Sequence, residues 1–409
     1  MKNISRVLIA NRGGIAIRVI RACKALGIGS IAAVSEADRE SLPAKMADRA
    51  ICIGPPRAQD SYLNVNTLVT AALGSGADAI HPGYGFLAEQ PELAESCDEH
   101  HVVFIGPTGS TIRQMGNKLQ ARKIVEDCGV PTIPVSKKAR DIKEANMMAE
   151  KLGFPVLLKA AAGGGGRGMK IIKDHQDLET VFDTLTSEVQ SAFGDGSLYI
   201  EHYIPNARHI EVQIIGDHFG NVVHLGERDC SIQRRYQKLI EKAPSPVVSA
   251  ELREQICKAA VTIAKRINYV NAGTIEFILD QEKTQFYFLE MNTRIQVEHP
   301  VTEQITGKDL VQEQIRIAGL QPLSFDQEDV RLSGHAIECR INAESPHSGF
   351  LPSPGKIEQW NQPSGPGIRV DSHCYPGYLV PPYYDSLIAK LITSGADRSQ
   401  AIERMRYAL

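Results

Sequence analysis

Short apolar runs alternate with amphipathic segments in the first quarter of the chain. Residues 6–10 and 30–34 are apolar and strand-like, and residues 15–26 between them carry apolar side chains at helical spacing. Strands that alternate with helices predict a parallel sheet with helices on both faces. The intervening turn, residues 11–14, reads Asn-Arg-Gly-Gly and lacks the GxGxxG pattern of dinucleotide-binding turns. The sequence therefore argues against a nicotinamide cofactor.

A run of glycines separates two further strand-like segments in the middle of the chain. Residues 154–160 and 169–173 are largely apolar, and residues 163–166 between them are all glycine. Walker A and dinucleotide loops lead from a strand into a helix, whereas this run leads from strand to strand. We interpret it as a hairpin whose backbone N–H groups can close over phosphates, with Lys159 near its base. A plain surface turn is the alternative.

Polar residues of alternating type follow an apolar strand at residues 285–289. In an extended chain, residues of one parity share a face. That face would carry Glu290, Asn292, Arg294, Gln296 and Glu298. A solvated edge strand is the ordinary explanation of such a pattern, because buried polar groups at this density need partners. The aromatic and aliphatic residues that precede the segment argue against that explanation here.

A second glutamate is expected to face the first. Residues 273–279 form another strand-like run, and a hairpin centred near Lys283 would pair Glu276 with Glu290. The Cβ atoms of opposed residues lie roughly 5 Å apart, so two carboxylates there destabilise a sheet unless a cation lies between them. Mg²⁺ prefers carboxylate oxygens together with substrate phosphates. The pattern predicts a magnesium site that also uses the Asn292 oxygen; a salt-bridged strand is the alternative.

Composition narrows the class of protein. The chain has 409 residues, enough for two or three domains, and a formal net charge of −3, which gives no basic field for nucleic acid. Its eight cysteines form no CxxC pair, which argues against zinc and disulfide sites and favours a reducing compartment. An apolar strand begins at once and no run reaches membrane-spanning length. We expect a cytoplasmic protein without nucleic-acid or membrane partners.

Other segments give weaker predictions. Residues 111–129 are interpreted as one helical connector that carries Lys118. Residues 226–238 form a dense polar run, which would by itself be interpreted as a solvated loop.

Six motifs in order make the chain similar to the biotin carboxylase component of biotin-dependent carboxylases, within the ATP-grasp superfamily. They are residues 81–87, Lys159 with residues 163–169, and residues 227–238, 290–300, 334–344 and 381–386. The resemblance covers essentially the whole chain. It implies an α/β fold, α+β overall, with three domains. These are a Rossmann-like pre-ATP-grasp domain (1–115), an ATP-grasp region (122–319) with a mobile glycine-rich lid (about 131–204), and a mixed C-terminal domain (333–409).

The resemblance also implies a reaction. ATP phosphorylates bicarbonate, and the resulting carboxyphosphate supplies CO₂ to the N1′ nitrogen of biotin. The implied cofactors are ATP and Mg²⁺ or Mn²⁺, and biotin is a carrier-bound substrate, since the chain lacks an Ala-Met-Lys-Met acceptor sequence. The implied partners are a biotin carboxyl carrier protein, a carboxyltransferase and, in a homodimer, a second copy of the chain. The sequence does not distinguish acetyl-CoA, propionyl-CoA and pyruvate as final acceptors.

Individual residues receive roles from the same resemblance. The nucleotide would be bound by Lys118, Lys159, Gly164, Gly165, Gly166, Glu201, Tyr203, Ile204, His209, Gln233 and Tyr236, together with Glu276 and Glu290. The metal would be held by Glu276, Glu290 and Asn292. The bicarbonate and biotin pocket would consist of Lys238, Arg294, Gln296, Val297 and Arg340. The catalytic residues would be Lys238, Arg294, Glu298 and Arg340, with Glu298 as base and Arg340 stabilising an enolate-like ureido oxygen.

Departures from the family pattern keep other functions open. Gly14, Asn117, Ala162 and Tyr236 stand where the family usually has Glu, Asp, Gly and His. The sequence ends at Leu409 inside a predicted helix, whereas family members usually continue, so we expect a truncated C-terminal domain. One alternative is another ATP-grasp ligase that joins a carboxylate to an amine. The other is a catalytically silent protein that only binds nucleotide.

Overall fold

A computed structural model describes residues 4–160, 168–193, 196–282 and 284–409. The predicted loop glycines Gly164, Gly165 and Gly166 lie outside the described residues, as does Lys283 at the predicted hairpin centre. Within the described part, no helix combines the length and the apolar character that a membrane span requires.

The N-terminal unit is the predicted parallel sheet. Five strands pair in the order β3-β2-β1-β4-β5, and all of their pairings are parallel. The strands are β1 (Arg6–Ile9), β2 (Gly29–Val34), β3 (Arg49–Cys52), β4 (Ala79–His81) and β5 (Val103–Phe104). The helices are α1 (Gly13–Ala25), α2 (Leu42–Met46), α3 (Val65–Ser75) and α4 (Pro91–Glu99). Alternate residues of β1 face two different cores, as expected of a sheet covered on both sides.

The connector that follows is helical, as predicted, and it consists of two helices. α5 (Gly109–Gly116) and α6 (Lys118–Asp127) are separated by Asn117, which has an extended backbone conformation. The Asn117 Oδ1 atom accepts hydrogen bonds from the backbone N–H groups of Leu119 and Gln120, both at 3.1 Å. This cap begins a new helix and places Lys118 in its first turn, exposed to solvent.

A second unit carries the strands that flank the glycine run. Its antiparallel sheet has the order β6-β9-β7-β8. The elements are β6 (Val135–Ala139), α7 (Ile142–Leu152), β7 (Val156–Ala160), β8 (Met169–Ile172), α8 (His175–Phe193) and β9 (Leu198–His202). β7 and β8 pair from Val156↔Ile172 to Lys159↔Met169. The strands on either side of the glycine run are therefore paired, as the hairpin interpretation requires.

The remainder of the chain is organised on one sheet of eight strands, in the order β14-β13-β10-β11-β12-β15-β21-β19. These strands are β10 (Arg208–Gly216), β11 (Val222–Arg234), β12 (Gln237–Ala243), β13 (Asn271–Asp280), β14 (Gln285–Asn292), β15 (His335–Asn342), β19 (Ile368–Ser372) and β21 (Leu387–Gly395). β12 pairs with β15 from Ile240↔Cys339 to Ala243↔Ala336. The same sheet thus continues from the ATP-grasp region into the C-terminal region.

Helices and short strands complete this part of the fold. They are α9 (Ala250–Arg266), α10 (His299–Thr306), α11 (Leu310–Ala318), α12 (Arg398–Ala408), β16 (Glu344–Ser345), β17 (Leu351–Pro352), β18 (Gly355–Lys356) and β20 (Leu379–Val380). α9 buries Ile256, Ala260 and Ile263 in a core shared with Ile214 and Phe277 of the sheet. The α/β architecture with antiparallel sheets after the N-terminal unit confirms the predicted fold class.

The polar run at residues 226–238 is not a solvated loop. Most of it belongs to the β11–β12 hairpin, and Glu227, Arg228 and Asp229 are almost fully buried. Arg228 alone donates hydrogen bonds to Glu211, Gln213, Thr274 and Thr302. Such complete pairing is what makes a buried charged strand stable, and its partners lie too far away in the sequence to be read from the run itself.

Close packing beneath β13 predicts that Gly273 does not tolerate a side chain. A Cβ atom there would lie 2.5 Å from the Tyr269 hydroxyl oxygen and 2.6 Å from the nearest atom of its ring. That hydroxyl is fixed by a 2.9 Å hydrogen bond to the Ala272 carbonyl. We expect Gly273→Ala to lower stability by about 1–3 kcal/mol and reduce the thermal unfolding midpoint.

Gly74 in α3 is the matched control, since its Cβ would meet nothing within 4 Å. Gly74→Ala should leave the midpoint unchanged or raise it, by up to about 1 kcal/mol, because alanine favours the helix. Equal midpoints for the two variants, measured by calorimetry, would contradict the packing argument.

Candidate active site

The predicted pairing of two glutamates is present. Glu276 of β13 and Glu290 of β14 are direct cross-strand partners. Nearer the turn the register differs by one residue, because Phe277 pairs with Phe288 and Leu289 is the extra residue of a bulge. The predicted pair is therefore confirmed. The bulge beside it increases the local twist of the strands and changes the direction of neighbouring side chains.

The strand does not continue through the alternating segment, so the expectation of one extended face was wrong. β14 ends at Asn292 and α10 begins at His299. The turn between them is fixed from the N-terminal unit by Glu89, which accepts hydrogen bonds from the Thr293 backbone N–H at 3.0 Å and from Arg294 Nε at 2.7 Å. This distant carboxylate bends the chain and still keeps its polar side chains together.

The predicted side chains converge on Glu276 in spite of the turn. Asn292 Nδ2 and Gln296 Nε2 both donate to Glu276 Oε1, at 2.8 and 3.1 Å. Arg294 Nη1 donates to Gln296 Oε1 at 2.8 Å and its Nη2 donates to Asn292 Oδ1 at 3.0 Å. His209 Nε2 lies 2.6 Å from Glu276 Oε2. Burial disfavours the charged imidazole, but the Glu276 charge outweighs burial and raises the pKa of His209.

Lys238 of β12 lies at the centre of the site. Its Nζ donates to Glu276 at 2.9 Å, to Glu298 at 2.8 Å and to Glu211 of β10. Burial opposes a charged ammonium, yet the three carboxylates raise the pKa of Lys238 well above its ordinary value. The ammonium is therefore fully charged at neutral pH and neutralises part of a dense group of acids.

Glu298 connects this group to the pocket predicted for biotin. It is fully buried at the N-terminus of α10. Arg340 of β15 donates from Nη2 to Glu298 at 3.0 Å and from Nε to Glu241 at 2.6 Å. Burial favours the neutral acid, but Lys238, Arg340 and Arg228 outweigh it and hold the pKa of Glu298 well below its ordinary value. Glu298 is thus an ionised carboxylate bonded to two cations.

Glu290 makes the site suitable for a divalent cation. Its side chain faces solvent, and within the described chain its carboxylate has no hydrogen-bond partner, unlike that of Glu276. Partial burial and the neighbouring Glu276 charge raise the pKa of Glu290, and Lys118 only partly offsets them. A cation between the two carboxylates would remove this repulsion. Ligand atoms of His209, Glu211 and Glu276 also lie within 4.8 Å of one another, but Lys238 already bonds two of those residues.

Several predicted nucleotide residues lie around this centre. Lys159 Nζ bonds Glu201 Oε1 at 2.7 Å, between β7 and β9 of the four-stranded sheet. Ile204 packs with Ile133 and Tyr287 in a small apolar cluster between that sheet and the eight-stranded sheet. Half-buried Tyr203 precedes it. This apolar cluster has the character needed for a flat heterocycle.

Other predicted residues have different surroundings. Gln233 Nε2 lies 2.9 Å from His209 Nδ1 and 2.9 Å from the Cys230 carbonyl. The Val297 carbonyl accepts a 2.6 Å hydrogen bond from Lys390. Tyr236 occupies the tip of the β11–β12 hairpin with a φ of 65° and is 61% exposed, so the structure does not bring it into the group around Lys238.

Sequence reasoning missed the acids that support these groups: Glu89, Glu211, Glu241 and Glu338. Glu211 is the cross-strand partner of both Glu276 and Arg228, on opposite sides of β10. Its signal was an acidic residue between Ile210 and Val212, two positions after His209. Glu89 had no local signal, because it acts through a contact more than 200 residues away in the sequence.

Family models cover almost the whole chain. The N-terminal domain of biotin carboxylase matches residues 3–112, the ATP-binding domain of the carbamoyl-phosphate synthase L chain matches residues 117–325, and the C-terminal domain of biotin carboxylase matches residues 338–409.

Curated relatives match over nearly the same length. Biotin carboxylase 1 of Bacillus subtilis is 53% identical over 407 residues, covering 99% of this chain and 90% of the relative. The biotin carboxylase of a Nostoc species is 54% identical over 405 residues, covering 99% of this chain and 90% of the relative.

Solved structures give the same result. A biotin carboxylase from Campylobacter jejuni, in complex with β,γ-ATP, is 48% identical with a TM-score of 0.93 and covers 100% of this chain and 91% of that one. The biotin carboxylase domain dimer of 2-oxoglutarate carboxylase from Hydrogenobacter thermophilus, with MgADP, ADP and bicarbonate, is 51% identical with a TM-score of 0.92. The match covers 100% of this chain and 90% of that one. The chain belongs to the biotin carboxylase family, and its activity is the ATP-dependent carboxylation of biotin.

Proposed function

We propose that this chain performs the first half-reaction of a biotin-dependent carboxylase, with Lys238, Glu298 and Arg340 as the groups that act on bicarbonate and biotin. The observation that carries the proposal is the position of Glu298, a buried carboxylate that bonds Lys238 at 2.8 Å and Arg340 at 3.0 Å. A base and two cations within one hydrogen-bonded unit suit an anionic substrate that must lose a proton.

Glu298 as it stands is too weak a base, since two cations hold its pKa well below the ordinary value. Bicarbonate is itself an anion and competes for Lys238 and Arg340, and Arg294 adds a planar donor set suited to it. Each time Lys238 or Arg340 donates to the substrate and no longer to Glu298, the pKa of that carboxylate rises toward the range of an effective general base. Substrate binding therefore activates the base.

In this proposal the nucleotide binds on the side of Glu276 away from Glu298 and Arg340. Glu276, Glu290 and Asn292 would hold Mg²⁺, which supplies charge neutralisation for the transferring phosphoryl group when bound. Lys118, Lys159, His209 and the loop glycines Gly164, Gly165 and Gly166 would bind the nucleotide phosphates and ribose. The apolar cluster around Ile204, with Glu201 and Tyr203, would hold the adenine, and Gln233 and Tyr236 would complete the site.

Arg340 serves the second step. Biotin reacts through a ureido group whose oxygen gains negative charge when the N1′ nitrogen loses its proton, which the phosphate released from carboxyphosphate can accept. The nitrogen then attacks CO₂. Within the described residues the Arg340 guanidinium donates to the carboxylates of Glu241 and Glu298, and its planar donors also fit such an oxygen. Gln296 and Val297 would form the adjoining wall of the pocket.

The domain organisation and partners are part of the proposal. The divisions are residues 1–115, 122–319 with a lid at about 131–204, and 333–409. Biotin would arrive on a carrier protein and, once carboxylated, pass to a carboxyltransferase. The chain itself would form a homodimer, since the similar domain of 2-oxoglutarate carboxylase is a dimer. The cytoplasmic location expected from the scattered cysteines stays a prediction.

Bicarbonate should stimulate phosphate release from ATP and Mg²⁺ even without biotin, because carboxyphosphate decomposes in water when nothing captures it. We expect Glu298→Gln to reduce the bicarbonate-stimulated rate by at least about 100-fold, since the base is lost. Arg340→Ala should keep more of that rate but lose about 100-fold in carboxylation of biotin. Coupled phosphate and ¹⁴CO₂-fixation assays measure the two activities.

The exposed Glu358→Gln variant is the charge-matched control and should behave as the wild type. Phosphate release that is indifferent to bicarbonate in the wild type would exclude the proposal. A silent protein would bind nucleotide with no bicarbonate effect, and an amino-acid type of ligase would respond to an organic acid together with an amine.

A separate prediction concerns the metal. Glu290→Gln removes a charge that has no protein partner in the described chain, so the fold should be unaffected. We expect the Mg²⁺ concentration for half-maximal turnover to rise at least about tenfold, and calorimetry should show weaker binding of MgADP. Glu282→Gln, in the exposed turn of the same hairpin, should change neither value. Wild-type Mg²⁺ dependence in Glu290→Gln would show that Glu290 is not a ligand.

A further inference from the structure

A second pair of glutamates lies in the interior of the eight-stranded sheet. Glu241 of β12 and Glu338 of β15 are direct cross-strand partners, and both side chains are 0% exposed. Direct partners on neighbouring strands point to the same face with Cβ atoms roughly 5 Å apart. Two buried carboxylates therefore lie side by side. Glu338 is two residues before Arg340 on β15.

These two carboxylates have far fewer donors than acceptor atoms. Arg340 Nε bonds Glu241 Oε1 at 2.6 Å. The other Glu241 oxygen and both oxygens of Glu338 have no hydrogen-bond partner in the described part of the chain. Lys390 Nζ lies 3.8 Å from Glu338 Oε2, but it donates to the Val297 carbonyl at 2.6 Å. Three buried acceptor atoms without a donor are costly if both acids are ionised.

The surrounding charges do not remove that cost. Burial raises the pKa of Glu338 well above its ordinary value, and the charges of Glu241 and Glu298 raise it further. Lys390 and Arg340 lower the pKa but do not offset these effects. Burial also raises the pKa of Glu241 to about 7, in spite of Arg340. Other titratable groups within electrostatic reach of the pair are Lys238, Tyr84, Cys230 and Cys339, while Asp371 lies 3.8 Å from Lys390 Nζ.

One proton on the pair would give two of these three oxygen atoms a hydrogen-bond partner. A protonated carboxyl has an O–H that donates to the neighbouring carboxylate, as in other pairs of opposed acids. The Glu241 oxygen that bonds Arg340 keeps its charge, so the proton belongs mainly to Glu338. Because the two acids are coupled, the pair titrates as a unit.

We propose that Glu241 and Glu338 hold a single proton between them at neutral pH, and that this proton leaves the Arg340 guanidinium available to the ureido oxygen of biotin. With both acids ionised, Arg340 would face three carboxylates, Glu241, Glu298 and Glu338. The shared proton removes one of these charges. Glu241 and Glu338 are thus positioning residues that act through Arg340. The inference rests on the proposed role of Arg340.

The pH dependence follows from the sign of this effect. The protonated pair is the active form, so carboxylation of biotin should decline as the pH rises through the pKa of the pair. Glu338→Gln mimics the neutral acid and cannot ionise. We expect this variant to be active at neutral pH and to retain about tenfold more biotin carboxylation than the wild type one pH unit above the wild-type alkaline midpoint.

Glu313→Gln is the matched control. Glu313 is also buried and lies away from the site, but donors from Arg316 and Ser324 bond its oxygens. Its variant should have the wild-type pH profile. A Glu338→Gln profile identical to that of the wild type would overturn the proposal.

Infrared spectroscopy tests the proton without any turnover. Protein with ¹³C-labelled glutamate should show a carboxylic acid C=O band at neutral pH that persists in Glu313→Gln and is lost in Glu338→Gln. Glu338→Asp keeps the acid and should shift the band. Absence of the band in the wild type would overturn the proposal whether or not a variant folds. Failure of bicarbonate to stimulate ATP turnover would instead reject the proposed function, while the band would still decide the protonation.

Discussion

The ammonium of Lys238 is the interaction on which the rest of the site depends. It brings together carboxylates from three elements, Glu211 on β10, Glu276 on β13 and Glu298 at the start of α10. Without a cation among them these buried acids would repel one another or take up protons. The alignment extends across the sheet, because Glu290, Glu276, Glu211 and Arg228 are successive cross-strand partners on four adjacent strands. The sheet holds the charges in register, and the interleaved cations make that register stable.

This balance explains how a site so rich in acids can bind anions. Lys238, Arg294 and Arg340 each bond a protein carboxylate. An anionic substrate does not meet free cations but exchanges partners with carboxylates already in place. Such a site is preorganised, since the cations are positioned before the substrate arrives. Glu290 is exposed, and its carboxylate has no hydrogen-bond partner in the described chain, so it indicates where positive charge has to be added from outside.

What the sequence predicted correctly was local. The Glu276–Glu290 pair followed from the length of one turn, and the parallel N-terminal sheet followed from the alternation of strands and helices. What it missed was set by distant contacts. Glu89 ends the extended segment at Asn292 from the other end of the fold, and the Leu289 bulge shifts the register of the hairpin. Residues 226–238 looked like a loop because the partners of Arg228 come from separate segments of the chain.

Glu298 couples the two chemical steps, because it is the acid that Lys238 and Arg340 share. When Glu298 accepts the proton of bicarbonate it loses the charge that holds both cations. The first step then increases the positive charge available to the second, since Arg340 no longer has Glu298 as a counter-charge when biotin arrives. A proton on the Glu241–Glu338 pair acts in the same direction from the other side of Arg340. The guanidinium is therefore left with one ionised protein partner, Glu241, and can stabilise the charge that develops on the ureido oxygen.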